Sequence, residues 1–281
     1  MNRAERRRQA KTASEKTTPR TSSSSLPFPV AAIKAQLQQA TSPVEVRQFL
    51  AALVAQGLPL KASEELSAYA AQYHETRAAL QGGSKATTVS SMVANAHTWA
   101  DSLINRSPEL DRRACRAGCA FCCYLPTVLV TAAEAVHLAA WLRTHCTAEE
   151  LTTIRQRLTE RLNFQNSSPT QGQQPLPCAL LHGDRCMAYA ARPLKCRGWT
   201  SLRREACERA YGHGSAASQV PADAYAFIMG NAVLNGLSDS VSHSGLDGGS
   251  YDLTHALWCV LDIPDAVERW RNGERLFKVI R

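Results

Sequence analysis

At 281 residues, with 44% hydrophobic and 20% charged side chains, the chain has the composition of a folded protein with one sizeable core, which excludes a disordered or fibrous chain. The net charge of +8 points to a nucleic-acid partner only until it is divided: seven basic and two acidic residues within positions 1–20 leave only +3 for all the rest. No run approaches the roughly 20 apolar residues of a bilayer span, and Met1 is followed by Asn-Arg-Ala-Glu-Arg-Arg-Arg rather than an apolar export segment. The expectation is a cytoplasmic protein with reduced thiols and no membrane partner.

Residues 1–27 are basic, then Ser/Thr-rich, then interrupted by Pro27, and have almost nothing to bury; a disordered basic tail is expected. Ser42-Pro43-Val44-Glu45 reads as a helix start, and Val46, Leu50, Leu53 and Val54 follow at helical spacing before Gly57 closes the element. A second helix is predicted from about 61 to Gln81, stopping at Gly82, and a third over about 88–105 with Met92, Val93, Ala96, Trp99, Ala100 and Leu103 on one face. After a cysteine-rich stretch, Thr131-Ala-Ala-Glu134 and Thr147-Ala-Glu-Glu150 read as capping boxes opening helices to about His145 and Leu162. Residues 164–177 read as a loop, Pro221 as the start of a helix to about 238, and 244–249 as a Gly-rich loop. Two last helices are expected over Asp252 to about Leu261 and Pro264 to about Asn272. The predicted fold is mainly α-helical, with an irregular cysteine-rich, metal-stapled centre flanked by helices. Its segments are a tail (1–27), an N-terminal helical region (28–107), a cysteine-cluster domain (108–212) and a C-terminal helical region (213–281).

The chemistry lies in the cysteines. Cys119-Ala-Phe-Cys122 is a CxxC knuckle, a turn that lets two sulfurs reach one metal, and Cys115 stands four residues earlier, on the same face if that stretch is helical. Cys123 is different, since consecutive residues direct their side chains apart; it serves a second site or is a buried thiol. Cys178, Cys186, Cys196 and Cys207 follow singly, a dispersal closer to iron-sulfur ligation than to the paired knuckles of a zinc ribbon. Basic residues around them (Arg112, Arg113, Arg116, Arg185, Arg192, Lys195, Arg197, Arg203 and Arg204) read as charge compensation for thiolates or as a solvated face. Cys146 and Cys259 lie on apolar helix patterns and read as core thiols. His182 is a candidate substitute ligand, His137 and His145 read as helix-surface or supporting groups, and Trp199 reads as an aromatic shielding the cluster from solvent.

Taken in order, Cys115-x-x-Gly-Cys119-x-x-Cys122-Cys123, Thr131-x-x-Glu134, Cys178 and Gly183-Asp-x-Cys186-x-x-Tyr189-x-x-Arg192-Pro193-Leu194-x-Cys196-Arg197 resemble the bacterial YkgJ-like CxxCxxCC family of zinc- or iron-chelating domains. The resemblance covers about residues 110–210. It departs at the three-residue gap between Cys115 and Cys119, where the family has two. It implies zinc or an iron-sulfur cluster held by Cys115, Cys119, Cys122, Cys123, Cys178, Cys186, Cys196 and Cys207, and it implies no particular reaction. A flagellin lysine methylase resembles the family in bearing such a cluster, but nothing in this sequence supplies the methyl-donor pocket such an enzyme requires; the enzyme alternative is a metal- or cluster-dependent protein-modifying enzyme with an open coordination position near Arg197 and Trp199. No glycine-rich phosphate loop, HExxH or nucleophile elbow accompanies the cysteines. A nucleic-acid-binding module acting through the basic tail is the remaining alternative; without aromatic residues among the charges, nucleic acid is the weaker partner reading.

Overall fold

The structure is a computed structural model that describes residues 29–82, 85–167, 176–212 and 220–277. The tail expected over 1–27 lies outside the described residues, as does most of the loop expected over 164–177. The fold is mainly α-helical, as the periodicity predicts. Its described helices are α1 (Val30–Gln39), α2 (Pro43–Ala55), α3 (Leu60–Gln81), α4 (Lys85–Ile104), α5 (Ala132–His145), α6 (Ala148–Asn166), α7 (Leu194–Gly198), α8 (Arg204–Gly212), α9 (Ala224–His243), α10 (Leu253–Val260) and α11 (Ala266–Arg271). Four short strands, β1 (Leu129–Thr131), β2 (Leu181–His182), β3 (Arg185–Cys186) and β4 (Ser250–Asp252), form two antiparallel pairs, β1 with β4 and β2 with β3.

Local signals set most helix starts. Ser42 caps α2, accepting Glu45 N–H at 3.3 Å with Pro43 at the first helical position. The Glu45 carboxylate turns back one residue further than a capping box requires, to the amide and hydroxyl of Thr41 at 2.7 Å each. Thr131 and Thr147 form reciprocal boxes with Glu134 and Glu150, as read from sequence. The helix expected from Pro221 starts at Ala224 instead. Asp223, fully buried, caps it by accepting Ala226 N–H at 3.0 Å, while Pro221 uses its carbonyl to bind Leu202 N–H at 2.8 Å.

The long helices α3 and α9 form the principal pair, and α9 also packs along α4 and α7. Their approach is close enough to require glycine: a Cβ on Gly236 would sit 2.5 Å from the Tyr69 carbonyl oxygen and 3.0 Å from the Tyr73 nitrogen. We expect Gly236→Ala to destabilise the chain by about 1–3 kcal/mol through overpacking, lowering the urea midpoint with the slope unchanged. One hydrophobic core runs from Ile33 in α1 to Phe277 beyond α11, drawing on the N-terminal, central and C-terminal regions alike. A small satellite core of Cys207, Ala210, Tyr211 and Val220 sits apart, with Phe121, Tyr124 and Leu125 packed against it.

Candidate metal centre

Residues 113–120 form no helix, so Cys115 is not brought to the knuckle along a helical face. It is held from across the chain: Ala114 N–H donates to the Ser201 carbonyl at 2.8 Å, and Ser201 N–H donates to the Cys115 sulfur at 3.2 Å. Gly118 then turns the chain at φ +82°, a conformation other residues adopt at a cost, and Cys119 N–H closes back on the Arg116 carbonyl at 3.0 Å. Cys122 and Cys123 lie together on a 3-10 turn, Phe121–Tyr124.

The downstream cysteines return to this turn one at a time. Cys178 N–H donates to the Cys123 carbonyl at 2.7 Å. Cys186 is carried back by the β2–β3 hairpin, where it pairs with Leu181. The turn residues Gly183 (φ 52°) and Asp184 (φ 60°) both occupy the left-handed region that a two-residue turn compatible with strand twist requires. Cys196 sits in α7. A 3-10 turn (Tyr189–Ala191) ends just before Arg192-Pro193, and α7 starts immediately after Pro193. Gly198 and Gly230 let α7 seat on α9, a Cβ on Gly230 meeting the Gly198 Cα at 3.2 Å. Cys207 lies buried in α8, which packs on the Phe121–Tyr124 turn.

The thiols are near enough to feel one another. Burial pushes the Cys115 thiol up, with Cys119, Cys122 and Cys207 adding to it and the Ser201 amide opposing. Burial likewise raises Cys178, Cys196 and Cys207, and lifts Cys186 to about 11. Cys122 and Cys178 contribute to several of these environments, and Arg192 favours the thiolate at Cys122, Cys186 and Cys196. Within the vicinal pair the Cys123 thiol hydrogen-bonds to Cys122, which brings Cys122 down to about 7 and drives Cys123 up. Amide donors also reach the sulfurs of Cys178 (from Leu180) and Cys186 (from Ala188), the kind of contact that stabilises a thiolate.

Among the described residues, no group of three or more His, Cys, Asp or Glu side chains is arranged to hold a metal ion as the chain stands. The donor set nonetheless fits a soft metal: four thiols from one nine-residue stretch and four that come singly, amide N–H groups aimed at sulfur, and, among the described residues, no carboxylate acting on Cys115, Cys122, Cys186, Cys196 or Cys207. His182 stands exposed on the hairpin, paired with Arg185. Cys146 and Cys259 are half-buried against the main core, Cys259 with its sulfur 3.4 Å from His255 Nε2. Trp199 is half-buried and meets Phe227 edge-on at 5.9 Å.

The basic residues divide into different roles. Arg112, Arg113 and Arg197 pair with Glu109, Asp223 and Asp101, so they do not serve as counter-charges to the thiols. Arg204 lies over Phe121 at 5.4 Å, and Lys195 binds Asn231. Arg192 and Arg161 are the arginines that favour cysteine thiolates, Arg161 acting on Cys178.

Arg161 belongs to a device that the sequence reading missed. Arg157, Arg161 and Gln165 are spaced by four along α6 and present donors to the carbonyls of both cysteine loops. Arg157 binds Leu181 O at 2.9 Å, Gln165 binds Pro126 O at 2.8 Å, and Arg161 binds Leu125 O, Leu176 O and, at 3.3 Å, Pro126 O. The i, i+4, i+8 spacing was visible, but what it faces depends on long-range packing.

Glu134 also does more than cap. Its carboxylate is 1% exposed; one oxygen accepts the amide and hydroxyl of Thr131 at 3.0 Å each, and the other accepts Leu194 N–H at 2.7 Å with His97 Nε2 3.6 Å away. The same side chain thus anchors the start of α5 and the start of α7, two residues before Cys196. Thr131→Ala removes a cap and leaves that anchor, so we expect a loss of about 0.5–2 kcal/mol in stability with metal content unchanged, checked by urea unfolding beside metal analysis.

No family model matches the chain, and no curated protein or solved structure matches it.

Proposed function

We propose that this is a cytoplasmic metal-binding protein in which Cys115, Cys119, Cys122, Cys123, Cys178, Cys186, Cys196 and Cys207 chelate a thiophilic metal, as zinc or as an iron-sulfur cluster. The observation that carries the reading is the return of four singly spaced cysteines to the Cys122–Cys123 turn, within electrostatic reach of one another and of N–H donors. The resemblance to the CxxCxxCC chelating family supports the same eight positions. When bound, the metal would supply either a fold-organising centre or, as a cluster, a one-electron redox centre. The chain's own part is to hold the thiols together, with Arg161 and Arg192 and the amides of Ser201, Leu180 and Ala188 favouring the thiolate form. The reading requires the loops to close further on the metal, which follows from the coupling of ligand deprotonation and folding at thiolate sites.

The test is metal content and absorption of protein purified without oxygen. Cys119→Ser and Cys186→Ser are expected to reduce metal content and stability together, and Cys146→Ser and Cys259→Ser to leave metal content unchanged. A broad visible band bleached by reductant identifies the cluster; colourless protein with stoichiometric zinc identifies the structural ion. Equal metal content in all four variants would contradict the proposal.

A further inference from the structure

We infer that the eight thiols form two unequal centres that meet at the Cys122–Cys123 peptide bond: an outer one of Cys115, Cys119, Cys122 and Cys207 that exchanges its metal, and an inner one of Cys123, Cys178, Cys186 and Cys196 that retains it. This deepens the metal-binding proposal and rests on it.

The division follows from what supports each sulfur. Cys115 and Cys207 share one partner, Ser201, whose amide reaches the Cys115 sulfur and whose side chain reaches Cys207. Cys207 belongs to the satellite core, against which the Phe121–Tyr124 turn packs. Cys178 and Cys186 instead pack on the main core, and Cys178 is bonded to the Cys123 carbonyl. A 3-10 turn places consecutive side chains roughly 120° apart, so Cys122 and Cys123 leave the turn on different faces while their sulfurs stay adjacent. The two centres therefore abut.

Their inequality follows from the same supports. The inner loops are clamped by Arg157, Arg161 and Gln165 from α6, by Glu134 on the Leu194 amide, and by Arg197, which binds the carbonyls of Ala190 and Arg192 from within the fold. The outer centre rests on four satellite-core side chains. Cys115 is the one exposed member of the eight, and it is followed by the exposed Arg116, Ala117 and Gly118. Local opening free energy rises with the apolar contacts an opening must break, so the outer site opens first and an incoming ligand reaches it first. A second observation points to a ligand there. Tyr211 is 5% exposed and lies among Cys207, Cys122 and Cys115; the Trp199 indole N–H faces its hydroxyl, which finds no acceptor for its own proton among the described residues. A buried donor is rarely left without an acceptor. A thiolate of a filled outer centre supplies the missing acceptor.

The experiment uses zinc as the probe. The full-length chain is loaded with zinc under reducing conditions and mixed with excess colorimetric chelator. Two zinc ions per chain are expected, leaving in two phases with rates at least roughly tenfold apart. Cys115→Ser, at an exposed position that leaves the core intact, and Cys207→Ser are each expected to abolish the fast phase and keep one slow zinc. Release of both ions in a single phase, or loss of both ions in Cys115→Ser, would overturn the division while leaving metal binding in place. Absence of any bound zinc in the parent chain would overturn the division, and the metal-binding reading falls with it if protein purified without oxygen also holds no iron and sulfide.

Discussion

Replacing Arg161 with methionine is expected to destabilise the fold by about 3–5 kcal/mol, and to loosen the cysteine loops before the rest of the chain unfolds. The guanidinium is 5% exposed, and the bonds described for it all go to neutral oxygens: the Thr254 hydroxyl at 3.0 Å and the carbonyls of Leu125, Pro126 and Leu176. A hydrogen bond from a charged donor contributes roughly 1.5–3 kcal/mol, and a buried carbonyl left without a partner costs roughly 1–3 kcal/mol. Relief from desolvating the cation offsets part of this, since methionine fills similar volume without a charge. Hydrogen exchange separates the two effects. The amides of residues 122–125 and 178–181 are expected to lose protection in Arg161→Met more than those of α3 and α9. Equal loss everywhere would show that Arg161 supports the core in general and not the loops.

Lowering the pH from 7 to about 4 is expected to remove about 3 kcal/mol of stability through His137. This imidazole is 8% exposed, its Nδ1 has no hydrogen-bond partner among the described residues, and it meets His97 of α4 edge-on at 5.8 Å. Burial lowers its pKa to about 4, with His97 and Arg197 pushing the same way and Glu134 opposing. An unfolded histidine titrates near 6.5, so between about 4 and 6.5 the unfolded chain binds a proton that the folded chain refuses. The stability is therefore whole above pH 6.5 and is lost as pH falls towards 4, at 1.36 kcal/mol per pKa unit of difference. Glu134 contributes separately. Burial alone would raise its pKa, but His97 and the amides of Leu194 and Thr131 outweigh burial and lower it. Its contribution is thus present above about pH 4.5 and is lost below, after most of the His137 effect. Urea midpoints measured from pH 7.5 to 4.5 test the assignment: the decline is expected to flatten in His137→Gln, and an unchanged decline would assign it to other groups.

What the sequence disclosed was whatever is settled within a few residues. The capping boxes at Thr131 and Thr147, the stop at Gly57 and the apolar face of α4 are all of this kind, and each is in place. Helix α1 escaped notice because Pro27 and Pro29 just before it and its own polar glutamines resemble the preceding tail, whereas its stability comes from Ile33 and Leu37 docking on the core. Pro221 suggested a helix start by position, but the buried Asp223, paired with Arg113 at 2.8 Å, sets the cap two residues on. At the candidate site, spacing singled out the cysteines. It could not reveal that Ser201 joins Cys115 to Cys207, or that Glu134 reaches across to Leu194. Those partners lie far apart in sequence, and only packing brings them together.

The most direct measurement of the central claim is the native mass of the full-length chain, prepared without oxygen and ionised under non-denaturing conditions. If the eight cysteines hold metal, the mass exceeds that of the 281-residue chain by bound zinc or by iron and sulfide, less the displaced thiol protons, and denaturation in acid removes the excess. A mass equal to that of the bare chain, with all ten cysteines open to alkylation in the folded state, would contradict it.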